Sequence, residues 1–173
     1  MEKHELLDVL KEKNLTLSSM ESLTGGLFSA TFTSIPGASE VFQGAAVTYQ
    51  DNVKSLFGVS PKTIQEHGAI SSECAREMAL SAAKFFQTDC SVSFTGNAGP
   101  SAEEDKPVGL VFIAVLLKDH LYKYELHLSG DREEIRKACV DFAFRKMVEL
   151  LKEPKPAEEP VANIGEEKKE GNL

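Results

Sequence analysis

Strand signals alternating with helical ones, a late hairpin of two long strands, and glycine-containing loops at the ends of three strands predict an α/β layer fold on a mixed sheet. The elements follow in order. Residues 3–13 place Leu6, Leu7 and Leu10 on one helical face. Leu15 to Glu21 reads as a short strand, followed at once by Thr24-Gly25-Gly26 and an apolar stretch through Phe32, the pattern of strand, tight turn and helix. Pro36-Gly37 marks a loop, and Val41 to Tyr49, rich in Val, Phe and Ala, reads as a second strand. Asp51 is expected to cap a short helix through Leu56. Ser60-Pro61 sets an N-cap before proline at the first helical position. Over 71–87, Cys74, Met78, Ala82 and Phe85 recur at spacings of 4, 4 and 3, the apolar stripe of a helix.

Cys90 to Phe94 is a third strand, ending in Thr95-Gly96-Asn97-Ala98-Gly99-Pro100. Val108 to Leu117 is apolar almost throughout, as a doubly buried strand requires. After a turn at Asp119-His120, Tyr122 to Leu128 alternates as its antiparallel partner. The last helix runs from Asp131 to about Lys152, with Ile135, Cys139, Phe142, Ala143, Met147, Leu150 and Leu151 at three-to-four spacing. Asp131 and Glu134 fit a capping box. Residues 154–173 hold three Pro, five Glu and three Lys but few large apolar side chains. Such a segment cannot offset its ordering entropy, so residues 1–153 are expected to form the domain and 154–173 a disordered tail.

Charge and composition exclude several function classes. Nineteen basic against 27 acidic residues leave a net charge of −8, which supplies no positive field for a nucleic-acid backbone. No apolar run approaches a membrane span, and the N-terminus lacks a signal peptide's regions, so a cytoplasmic location without membrane contact is expected. Cys74, Cys90 and Cys139 are scattered and odd in number, and His4, His67, His120 and His127 show no ligand spacing. Neither a disulfide framework nor a metal site is signalled, and no cofactor is.

The candidate chemistry sits in loops. Ser22-Leu23-Thr24-Gly25-Gly26, Thr95 to Pro100 and Ser129-Gly130-Asp131-Arg132 all follow strand ends, where open α/β sheets bind ligands. Glycines there bring backbone N–H groups toward an anion, although Gly25-Gly26 can equally serve close packing of helix on strand. Arg132 falls in the first turn of a helix, where the dipole disfavours a cation, a placement more easily understood if it faces an anionic ligand. Ser39, Tyr49 and Lys54 form a second cluster in sequence. Most lysines on short surface helices are solvated; one becomes a base only if desolvation or a neighbouring cation lowers its pKa.

Taken in order, Glu21-Ser22-Leu23-Thr24-Gly25-Gly26, Pro36-Gly37-Ala38-Ser39, Val47-Thr48-Tyr49 with Lys54, His67-Gly68-Ala69-Ile70-Ser71, Thr95-Gly96-Asn97-Ala98-Gly99-Pro100, Lys106-Pro107-Val108-Gly109 and Gly130-Asp131-Arg132 resemble the CinA C-terminal domain family over about residues 4–152. The resemblance implies a three-layer α/β/α sandwich around a five-stranded mixed sheet. It also implies a stand-alone form lacking the larger N-terminal domain of full-length CinA proteins, and homo-oligomers. The implied activity is metal-free hydrolysis of nicotinamide mononucleotide, a small-molecule nucleotide substrate, to nicotinic acid mononucleotide and ammonia. Its key positions match Ser22, Ser39, Tyr49, Lys54 and Arg132, with Thr95 in the Thr-Gly loop.

In the implied reaction, neutral Lys54 takes the serine proton and returns it to the leaving nitrogen. Oxyanion donors come from glycine-rich strand-to-helix turns, the substrate is bound by Thr24, Gly25, Gly26, Thr95, Gly96 and Arg132, and its phosphate is held by a helix N-terminus or by Arg132. Ser39, nearer in sequence to Tyr49 and Lys54, is favoured as nucleophile, with Ser22 and Tyr49 orienting or donating. The chain departs from the family at Leu23 (usually Cys), Ala38 (usually Ser), Asn97 (usually small and apolar) and Ser101-Ala102-Glu103-Glu104-Asp105 (usually glycines). Three carboxylates there would repel a phosphate unless the loop points outward. The alternatives are an interaction protein linked to competence or DNA repair, and an amidohydrolase for another nucleotide-like or pterin-like amide.

Overall fold

A computed structural model of the chain describes residues 3–156 and 159–161. The order is α1 (His4–Glu12), β1 (Leu17–Glu21), α2 (Leu27–Thr33), a 3-10 turn (Ala38–Glu40), β2 (Phe42–Val47), α3 (Asp51–Leu56), α4 (Pro61–His67), α5 (Ser72–Phe86), β3 (Cys90–Gly96), β4 (Leu110–Leu117), β5 (His120–His127), α6 (Arg132–Lys152) and β6 (Glu159–Pro160). Five strands form a mixed sheet in the order β2-β1-β3-β4-β5, and the two-residue β6 adds to the β5 edge. β1 runs parallel to both β2 and β3, while β3-β4 and β4-β5 are antiparallel. The expected α/β/α sandwich is the observed one. The α1, α2 and α6 layer packs a core of Leu6, Leu10, Phe28, Phe32, Phe144 and Met147 against one sheet face. The other face meets α5 through Ala75, Ala79 and Ala83 and through Cys74, Met78 and Ala82.

The small side chains of α5 let it lie close to the sheet. There the hydroxyls of Ser91 and Ser93 on β3 donate to the Ala79 and Ala75 carbonyls of α5, so the buried serines are satisfied. The expected stripe on α5 fails at its end. Phe85 is 61% exposed, and Phe86 continues the four-residue spacing inward, its ring seated against Gly44. Two helix starts behave as the sequence implied. Ser60 is the N-cap with Pro61 at N1, and Asp131 with Glu134 makes a reciprocal capping box at α6. At α3, Gln50 is the N-cap and Asp51 the first helical residue.

The tail corrects one expectation. Glu159 and Pro160 pair with Leu121 and His120 of β5, and the Glu159 carboxylate meets the Arg76 guanidinium of α5 at 2.6–2.8 Å. Val161 packs against the α5-side core. An ion pair and an edge-strand pairing thus order residues that composition alone assigned to a disordered segment; residues 157–158 and 162–173 lie outside the described residues.

Candidate active site

The carboxyl ends of β1, β2 and β3 converge, and backbone bonds continue the sheet past them. Ser22 N–H donates to the Phe94 carbonyl and Thr48 N–H to the Glu21 carbonyl. Ser22 is thereby fixed between its neighbouring strands at the switch point, where β2 and β3 lie on opposite sides of β1. The turn that follows uses Gly25 and Gly26 at φ +57° and +99°, a left-handed geometry that glycine adopts without steric cost.

α2 begins directly after this turn, and its first free N–H groups are already taken. The fully buried Glu21 carboxylate accepts from Phe28 N–H at 2.9 Å, from Ser29 N–H at 3.1 Å and from the Ser29 hydroxyl. A side chain six residues before the first helical residue, Leu27, thus serves as the helix cap. From the other side, Arg136 of α6 donates to the Leu23 and Thr24 carbonyls at 3.0 and 2.9 Å. Sequence reasoning missed both residues. The acidic residue one position before the nucleophile candidate, and an arginine one turn beyond Arg132, were the available signals.

Lys54 is the buried residue of α3, 1% exposed. Its Nζ lies 2.9 Å from Ser22 Oγ and 2.9 Å from the Tyr49 carbonyl. Burial pushes the lysine pKa down and outweighs Cys74, Asp51, Glu104 and Glu103, which act in the other direction. The Cys74 thiol, pushed up to about 12 by burial, stays neutral beside it. Nζ donates to both the Ser22 hydroxyl oxygen and the Tyr49 carbonyl, and neither neighbour is a carboxylate that would offset the desolvation of an ammonium. Ser22 is 8% exposed and lines a cleft of about 130 Å³. The pair therefore sets a buried amine against a hydroxyl that lines the cleft.

The remaining walls are Leu23, Tyr49, Gln50, Asp51, the 96–99 loop, Ser101, Glu103 and Arg132. Arg132 reaches across: Nη1 donates to the Gly99 carbonyl at 2.7 Å and Nη2 to Tyr49 Oη at 2.8 Å. Those two bonds use two of its five N–H groups. Tyr49 is 51% exposed, and its backbone carbonyl, not its phenol, touches Lys54.

Several sequence expectations need correction. Ser39 is exposed on the 3-10 turn before β2, whereas Tyr49 and Lys54 follow the end of β2. The six residues of β2, Phe42–Val47, lie between the two positions and span about 17 Å at strand rise. Closeness in sequence misled because a strand carries the chain to the far side of the sheet. Thr24 is fully buried and does not line the cleft, nor do Gly25 and Gly26. Among the described residues the Thr24 hydroxyl, like that of Thr48, has no hydrogen-bond partner. Thr95 donates its hydroxyl to the Ala69 carbonyl. Gly96 does line the cleft, but it also admits β4, since a Cβ there would lie 2.6 Å from the Leu110 carbonyl. The α2 N-terminus holds Glu21, which leaves Phe28 and Ser29 N–H unavailable for phosphate or oxyanion.

The departures also find places. Leu23 joins the α6-side core, as does Ala38. Asn97, 2% exposed, donates to the carbonyls of Glu103 and Lys106 and accepts from Glu103 N–H. Glu104 turns away from the cleft to bond Ala69 and Ile70 N–H, whereas Glu103 lines it. Among the described residues no group of three His, Cys, Asp or Glu side chains could hold a metal ion, and no helix is long and apolar enough to cross a membrane.

Comparison with known proteins matches this architecture. A "CinA-like protein" of Petrotoga mobilis is 44% identical over 149 residues, 85% of this chain and 37% of that protein. A "CinA-like protein" of Fervidobacterium nodosum is 45% identical over 146 residues, 83% of this chain and 36% of that protein. The chain thus spans just over a third of the length of the curated relatives it matches. Among solved structures, a competence-damaged protein (CinA) superfamily protein from Escherichia coli superposes with a TM-score of 0.83 at 29% identity, covering 86% of this chain and 87% of that one. A competence/damage inducible protein from Agrobacterium tumefaciens gives a TM-score of 0.79 at 32% identity, covering 86% and 94%. Residues 2–151 match the CinA C-terminal domain, and the chain belongs to that family.

Proposed function

We propose that this chain is a serine–lysine amidohydrolase that converts nicotinamide mononucleotide to nicotinic acid mononucleotide and ammonia. The observation that carries the reading is the 2.9 Å contact between the buried Lys54 Nζ and Ser22 Oγ at the floor of a cleft. The nucleophile is Ser22. Its Oγ attacks the carboxamide carbon as the proton passes to Lys54 Nζ. Collapse of the tetrahedral intermediate breaks the C–N bond, and Lys54 returns the proton to the departing nitrogen, which leaves as ammonia. Water then attacks the acyl-Ser22 ester with Lys54 as base, releasing the carboxylic acid and restoring the hydroxyl. Backbone N–H groups of the cleft-lining Leu23 turn and the 98–99 loop serve the oxyanion, each donor being worth about 3 kcal/mol of barrier.

Two wall features support this substrate. The carboxylates of Asp51 and Glu103 suit the positive charge of a substituted pyridinium ring, and the unused N–H groups of Arg132 suit its phosphate. The test is ammonia release from nicotinamide mononucleotide beside free nicotinamide and a pterin-like amide, with Lys54→Met as control. Release confined to the nucleotide and abolished in the variant supports the reading. Equal release from the variant, or none from the wild type, contradicts it.

A further inference from the structure

The segment His67-Gly68-Ala69-Ile70-Ser71 has no part in the Ser22–Lys54 chemistry, yet it holds one wall of the cleft. The Glu104 carboxylate accepts from Ala69 N–H at 3.0 Å and from Ile70 N–H at 3.1 Å. The Lys106 ammonium donates to the His67 carbonyl at 2.9 Å, to the Ile70 carbonyl and to Glu104 Oε1 at 3.1 Å. Asn97 fastens the same loop from inside, through the Glu103 and Lys106 carbonyls and the Glu103 N–H.

Gly68, at φ +83°, faces this pair: a Cβ there would overlap the Glu104 carboxylate and lie 2.9 Å from Lys106 Nζ. Glu104 and Asp105 sit at φ +57° and +54°, a region that disfavours side-chain-bearing residues and therefore needs contacts to hold it. The loop so held contributes Ser101 and Glu103 to the cleft.

We propose that Glu104 and Lys106 form a latch that fixes this wall of the cleft against the turn leading into α5, with Gly68 providing the space that receives it. Both are positioning residues: neither hydrogen-bonds Ser22 or Lys54, and they act on substrate binding through Ser101 and Glu103. The kinetic part of this inference rests on the amidohydrolase reading; the structural part does not.

Hydrogen exchange on the full chain tests the structural part. Bonds to a charged acceptor justify an expected rise of about tenfold or more in exchange at Ala69, Ile70 and residues 101–106 in Glu104→Ala. Gly68→Ala, which displaces the Glu104 carboxylate and also strains a backbone at φ +83°, should raise exchange over the same residues at least as much. Asp105→Asn should exchange like the wild type, and β3 and β4 should stay protected throughout. Lys106→Met provides a second route if Glu104→Ala fails to fold. In the ammonia assay at a pH above the lowered Lys54 pKa, where the charge of Glu104 no longer alters the protonation of Lys54, KM should rise by about tenfold while kcat changes less than about twofold.

Wild-type exchange in both Glu104→Ala and Lys106→Met overturns the latch whether or not the protein releases ammonia. Fast exchange with unchanged KM, or a loss confined to kcat, overturns the positioning role. A wild type that releases no ammonia overturns the amidohydrolase reading and leaves the exchange result to decide the latch.

Discussion

Lys54 is a lysine in a place that disfavours its charge. It is 1% exposed, and its polar neighbours are a hydroxyl and a carbonyl, not a carboxylate. Desolvation without a paired anion favours the neutral form. Lys54→Met should therefore lower kcat by roughly a thousandfold, within the range for general acid–base catalysis, while leaving the melting temperature unchanged or higher. The pH dependence has a defined sign. Because the folded-state pKa lies below the unfolded value of 10.5, the folded protein binds fewer protons between those two values, and stability rises with pH across that window. The stability advantage of Lys54→Met should thus be largest below the lowered pKa and shrink as pH approaches 10.5, as denaturant melts of both proteins over a pH series would read. Activity should rise with pH through the same lowered pKa. None of this was legible in the residue type, since burial depends on how the 48–50 turn folds α3 back under the cleft.

At the scale of elements, α2 and β6 illustrate what local reading reaches and what it misses. The strand–turn–helix at 17–33 was legible because Gly25-Gly26 demands a left-handed turn. Its cap was not, because Glu21 lies outside the window in which N-caps are sought. Glu21→Ala should leave buried N–H groups of Phe28 and Ser29 unpaired at a cost of about 3 kcal/mol, lowering the melting temperature by roughly 6–12 °C. β6 escaped composition for a different reason: its order comes from the partner strand β5 and from Arg76. Hydrogen bonding to Arg76 holds the Glu159 carboxyl below its ordinary value. The pair therefore stabilises above the ordinary carboxylate pKa, and that contribution is lost as pH falls through the lowered one. Being partly exposed, it should contribute no more than about 1 kcal/mol. Glu159→Gln is expected to melt about 2 °C lower at neutral pH and to converge with the wild type in acid.

For the whole molecule, the α/β class, the mixed sheet and all five main strands were readable from alternation and turn chemistry, because each strand's burial is written in its own residues, whereas the three-layer arrangement came with the family resemblance. Assembly of the site was not readable, because it depends on which strand ends meet. The parallel arrangement of β2, β1 and β3 brings Ser22, Tyr49 and the 96–99 loop to one end and sends Ser39 to the other. The most direct measurement compares steady-state ammonia release from nicotinamide mononucleotide by the wild type, Ser22→Ala and Ser39→Ala. Attack by Ser22 predicts a kcat loss of roughly a thousandfold in Ser22→Ala and near-wild-type turnover in Ser39→Ala. Retained turnover in Ser22→Ala would contradict the account.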